Sequence, residues 1–142
     1  MLTRLGAAAA LALAGSACPS DVITNYNTSP TASINYPTEG ALLTGSVDFQ
    51  GRVSDNQQSP DTLSVQWTSN VDGVLDATPS DADGVAVFTS ASLTYGSQVV
   101  TLTAVDDKAS SGTATVTFTL VPPQPEVQIL DPASGASFTV GD

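Results

Sequence analysis

The sequence predicts an all-β chain, an antiparallel sandwich of about seven strands. Three observations carry that expectation. Past the N-terminus no segment shows a 3.6-residue apolar period; short runs alternate apolar and polar residues instead. Gly, Pro, Asn and Asp break these runs at regular intervals. Of the 14 acidic residues, only Glu39 and Glu126 are glutamates. Aspartate favours turns and caps, whereas glutamate favours helix interiors.

Residues 1–17 read as an export signal. Arg4 supplies the positive start, Leu5 to Leu13 a short apolar run, and Ala14, Gly15, Ser16 and Ala17 the small residues of a cleavage region. The run is shorter than the about 20 residues a permanent membrane helix needs. The sole cysteine, Cys18, follows directly. Leu13-Ala14-Gly15-Ser16-Ala17-Cys18 resembles a bacterial lipobox, with Gly15 where that signal usually has leucine. The resemblance implies lipid attachment at Cys18 and a membrane partner reached through it. The alternative is cleavage by ordinary signal peptidase after Ala14 or Ala17, which leaves a secreted chain with a free thiol.

Residues 18–31 are polar and read as a flexible tether. The sandwich is expected over 32–121. Its first strand is Ala32 to Tyr36, stopped by Pro37. The second, Ser46 to Val53, puts Val47, Phe49, Gly51 and Val53 on one face. In the third, Leu63 to Ser69, Leu63, Val65 and Trp67 alternate with Ser64, Gln66 and Thr68. Val74-Leu75 is a brief fourth piece after the Asp72-Gly73 turn, and Val85 to Thr89 is the fifth. The sixth, Gln98 to Val105, faces Val100, Leu102 and Ala104 inward. The seventh, Thr113 to Val121, faces Ala114, Val116, Phe118 and Leu120 inward and threonines outward. Trp67, Phe49, Phe118 and Leu102 are the expected centre of the core. About 90 residues bury one modest core without metals or disulfides.

Residues 122–142 begin with the stiff linker Pro122-Pro123-Gln124-Pro125. Pro125 to Thr139 then echoes Pro30 to Thr44 at a constant offset of 95, with Pro, Ile, Pro, Gly, Ala and Thr identical. This reads as the start of a second repeat. Either the chain is a piece of a longer repeat protein, or the spare strand pairs with a neighbour's sheet edge.

The Pro37-x-x-Gly40 turn, Trp67 with Asp72-Gly73 five and six residues on, and Val100-Thr-Leu102-Thr-Ala104-Val-Asp106 followed by Gly112 carry a family resemblance. The pattern resembles bacterial surface modules of the immunoglobulin-like sandwich class, most nearly PKD-type repeats. That resemblance implies a spacer, adhesion or ligand-binding unit outside the cell, with a protein or glycan as ligand.

Composition excludes several chemistries. There is no histidine, so no imidazole base and no histidine-bound metal; one cysteine forms neither an internal disulfide nor a thiolate cluster. The net charge is −11, and removing Arg4 with the signal leaves 14 acids against Arg52 and Lys108, or −12. Such a chain is not expected to bind nucleic acid, which needs many Lys and Arg. Asp72, Asp81, Asp83, Asp106 and Asp107, with Asp55 and Asp61, are the candidates for a calcium site, because Ca²⁺ takes clustered oxygens beside sharp glycine turns. Asn70-x-Asp72-Gly73 and Asp81-x-Asp83-Gly84 hold only pieces of a calcium loop, and the first reading of such Asp-Gly turns is that they simply cap hairpins. A calcium-stabilised adhesion repeat is therefore one alternative function. Asp106 and Asp107 are adjacent and point to opposite faces, which does not suit a catalytic carboxylate pair. No enzyme is expected. A carbohydrate-binding accessory module is the other alternative; Trp67 is the candidate platform, but its alternation with Leu63 and Val65 places it in the core first.

Overall fold

A computed structural model describes residues 26–128, 135–137, 139 and 141. The export signal, Cys18 and much of the second-repeat start lie outside the described residues. Eight strands form: β1 (Thr31–Tyr36), β2 (Ala41–Thr44), β3 (Val47–Ser54), β4 (Ser64–Ser69), β5 (Gly73–Asp76), β6 (Val85–Ser90), β7 (Gly96–Val105) and β8 (Ser111–Val121). They make a three-stranded sheet in the order β1-β3-β6 and a five-stranded sheet in the order β2-β8-β7-β4-β5. The architecture is an immunoglobulin-like β-sandwich.

The expected count of seven misses β2. Ala41 to Thr44 lacks readable alternation, and its partner lies far along the chain: it pairs in parallel with Phe118 to Val121. Glu39 assists this junction, because its carboxylate accepts the Thr117 N–H at 2.8 Å while the Gly40 N–H donates to the Thr117 carbonyl at 2.8 Å. Strands β7 and β8 also start two residues earlier than expected. Their ladder runs without a break from Gly96 opposite Leu120 to Val105 opposite Ser111.

The alternation in β3, β4, β7 and β8 sends one face of each strand into the space between the sheets. Val47, Phe49, Val53, Leu63, Val65, Trp67, Val100, Leu102, Ala104, Val116, Phe118 and Leu120 are all buried there. Trp67 is wholly buried, with its ring centroid 5.7 Å from Phe49 and 5.5 Å from Phe88. Phe49 stacks on Phe88 at 4.6 Å. Gly51 gives the indole room: a Cβ there would lie 2.9 Å from Trp67 Cζ2.

The registers define two poles. At the entry pole sit the starts of β1, β4, β6 and β8 and the ends of β3 and β7. At the exit pole sit the start of β7, the end of β4 and the end of β8. The last part of the expected tether is fastened at the entry pole. Asn27 Nδ2 donates to Asp106 Oδ2 at 2.6 Å and to Ser110 Oγ at 2.9 Å. Thr28 Oγ1 donates to Gln57 Oε1 at 2.7 Å, and Pro30 is buried over Gly112. These partners are 29 to 83 residues apart in the chain, so a local reading of polar composition does not foresee them.

Candidate functional site

The outer face of the three-stranded sheet carries a recess. The registers place Tyr36, Gln50 and Val87 in one row across β1, β3 and β6, with Asp48 opposite Thr89 in the adjacent row. Side chains two apart on a strand share a face, so these groups converge. Together with Phe49 and Phe88, whose rings stack at 4.6 Å, they line a groove of about 490 Å³. Tyr36 is 40% exposed and Val87 59%. Thr89 Oγ1 donates to Asp48 Oδ1 at 2.6 Å, which fixes that carboxylate along the groove. Of the three tyrosines, Tyr36 lines this recess, whereas Tyr26 and Tyr95 are exposed elsewhere.

The loop aspartates are divided between the poles. Asp72 follows β4 at the exit pole, whereas Asp106 and Asp107 follow β7 at the entry pole. β7 is ten residues long, so these two positions are about 30 Å apart. Asp55, Asp61, Asp81 and Asp83 belong to the entry-pole loops. Among the described residues no group of three or more acidic, cysteine or histidine side chains is gathered as a metal ion would need. The seven aspartates therefore do not form one site.

Most of these carboxylates hold their own loops. Asp72 accepts from Thr94 Oγ1 at 2.6 Å, from the Thr94 N–H, and from Gln98 Nε2 at 3.0 Å. The Thr94 hydroxyl, then its backbone N–H and Gln98, hold the Asp72 carboxyl below its usual range, against the opposing effect of burial. Gln98 is the residue that sequence reasoning missed. It is wholly buried, accepts from Ser69 Oγ and donates to the Thr94 carbonyl at 2.6 Å, so one amide ties β4, β7 and the 91–95 loop together. Its parity with Val100, Leu102 and Ala104 was the available signal.

Asp106, 7% exposed, accepts from Asn27 through Oδ2 and from the Lys108 and Ser110 N–H groups through Oδ1, both at 2.8 Å. The Asn27 amide, then those backbone donors and Lys108, hold its carboxyl low, again against burial. Asp81 Oδ1 accepts from the Asp83 and Val85 N–H groups, closing the turn before β6. Asp55 Oδ1 caps Gln57 and Gln58. Asp107 pairs with Lys108 at 3.0 Å on the surface, and this partner raises the lysine pKa. Exposed pairs of this kind contribute about 0–1 kcal/mol.

No protein-family model matches the chain. In sequence it is 37% identical over 93 residues to Halomucin of Haloquadratum walsbyi, a match covering 64% of this chain and 1% of that protein. This chain thus spans about one hundredth of the curated relative it matches. Among solved structures, the endo-β-1,4-mannanase from Thermotoga petrophila superposes with a TM-score of 0.56 at 14% identity, over 68% of this chain and 20% of that one. Fibronectin(III)-like modules of CbhA from Clostridium thermocellum give 0.48 at 11% identity, covering 63% and 94%. A human PKD domain gives 0.45 at 17% identity, covering 85% and 100%. At such identities the likeness to solved structures concerns the fold alone.

Proposed function

We propose that this chain is an exported, non-catalytic immunoglobulin-like module that serves as a spacer or binding unit of the cell envelope, anchored by lipid at Cys18. The observation that carries the modular part is the 93-residue match within a far longer protein. Its length agrees with the offset of 95 between Pro30–Thr44 and its echo, as expected of a unit used repeatedly. The chemistry of the loops supports a non-catalytic role. Asp72 and Asp106 are saturated with donors and held as carboxylates, whereas a general acid needs a raised pKa. The residues that form the lipobox resemblance support the anchor.

The test is the intact mass of the native protein extracted from cells. A mass carrying diacylglycerol and acyl groups on Cys18 supports the anchor; an unlipidated terminus refutes it. A mass well above one module supports a repeat array.

The Tyr36 groove favours a glycan as the ligand. A neutral pyranose can place its apolar face on the Tyr36 ring and its hydroxyls on Asp48 and Gln50. Amide shifts of β3 and β6 on titration with neutral oligosaccharides, abolished by Tyr36→Ala, would support this. Unchanged spectra across an oligosaccharide panel would refute it.

A further inference from the structure

Charge is distributed unevenly over this acidic protein. The five strands of the larger sheet contain one charged residue, Asp76, at the end of the edge strand β5. Its carboxylate is engaged by Thr78. The outward side of this sheet is a lattice of hydroxyls and methyls. Val74, Thr68, Thr101 and Thr115 form one row across β5, β4, β7 and β8; Gln66, Thr103 and Thr113 form the next. Toward the exit pole, Val99 lies opposite Thr117, and Ser97, Thr119 and Leu42 continue the pattern. Leu42 is 70% exposed and Val74 61%. The other sheet presents Asp48 and Arg52 on its outer side, and both poles carry aspartates.

From this segregation we infer that the threonine face of the five-stranded sheet is a self-association surface, taking the same face of a second copy. Two bodies of net charge −11 repel one another through every surface that presents carboxylates. This face opposes the fewest charges, its carboxylates standing at the margins: Asp61 beside Gln66 and Thr103, and Glu39 beside Thr117. Aligned sheets pack about 10 Å apart, with rows of small β-branched side chains interleaving. Strands of 4, 11, 10, 6 and 4 residues, at ~3.4 Å per residue and ~4.8 Å between strands, give on the order of 500 Å² per copy, or about 1,000 Å² in a pair, the lower bound for specific contacts. The association is accordingly weak in free solution. It becomes effective when copies are held together at high local concentration. It depends neither on the lipid anchor nor on the Tyr36 groove.

Sedimentation equilibrium of the full chain tests it. Weight-average mass should rise toward dimer at roughly millimolar protein, more steeply in about 1 M sodium chloride, where the Debye length is ~3 Å. Thr115→Glu, which places like charges across the contact, should weaken association at least about tenfold, while Val87→Glu on the other sheet should leave it unchanged. Concentration-dependent amide shifts confined to β4, β7 and β8 of the unaltered chain give a readout that needs no variant. A monomeric mass throughout the concentration range, or equal weakening by Val87→Glu, would overturn the inference.

Discussion

Gly51→Ala tests the packing of the two sheets at its tightest point. The added Cβ would sit 2.5 Å from Leu102 Cδ2, 2.9 Å from Trp67 Cζ2 and 3.0 Å from the Ser33 carbonyl oxygen. The leucine methyl can rotate away. The indole cannot, since it is wholly buried against Phe49 and Phe88, and the carbonyl belongs to β1, paired beside β3. Overpacking of this kind costs about 1–3 kcal/mol. Alanine recovers about 0.4–1 kcal/mol by restricting the unfolded chain. The net loss is about 1–2 kcal/mol, which lowers Tm by roughly 5–15 °C for a domain near this size.

A double-mutant cycle identifies the cause. Trp67→Phe alone removes buried ring surface, but also the indole N–H, which is buried without a partner. In Gly51→Ala/Trp67→Phe the Cζ2 contact is gone, so the double variant should lose at least ~0.5 kcal/mol less than the sum of the singles. Thermal unfolding followed by circular dichroism, with urea titrations to check that m is constant, gives all four corners. Strict additivity, or a Gly51→Ala variant within ~0.5 kcal/mol of the parent, would refute this account of how Gly51 and Trp67 fit.

Three other outcomes are expected. Gly112→Ala would place a Cβ against the Pro30 carbonyl oxygen, at 1.9 Å, so the first residues of the domain must lift from β8. Hydrogen exchange should then accelerate around Thr31 and Ser54 more than in β7, with a stability loss of about 1–3 kcal/mol. Ala109 holds a φ of 65°, the left-handed region that costs an L-residue about 1–2 kcal/mol, so Ala109→Gly should raise stability by about 0.5–1 kcal/mol in a denaturant titration. Asp72 and Asp106 have folded pKa values below their unfolded ones. Their contribution is complete above the unfolded pKa of about 3.9 and disappears as pH falls through the folded values. Tm measured from pH 6 down to about 2.5 should fall less steeply in Asp72→Asn and Asp106→Asn than in the parent.

The sandwich was legible wherever one face of a strand had to be buried. Leu63-Val65-Trp67 and Val100-Leu102-Ala104 alternate because their neighbours meet water, and this period survives in the sequence. β2 was not legible, since its position comes from a parallel ladder to Phe118–Val121 rather than from its own pattern. The roles of the aspartates divide similarly. Asp81 acts on donors two and four residues away, as Asp-x-Asp-Gly turns suggest. Asp106 acts on Asn27, 79 residues distant, and Asp72 on Gln98, 26 distant; only the folded chain brings those partners together. The Tyr36 groove has the same origin, because its row of residues exists only once β1, β3 and β6 are in register.

The parallel pairing of β2 with β8 also determines how the domain responds to tension. The chain enters at one pole and leaves at the other, so a pull on its two ends draws β2 and β8 in opposite directions along their common axis. All the bonds between Ala41–Thr44 and Phe118–Val121 are then strained at once instead of opening one after another. The Glu39 contact to Thr117 lies beside the same seam and shares the strain. Chain ends that load a short ladder in shear make a unit that resists stretching until it yields abruptly.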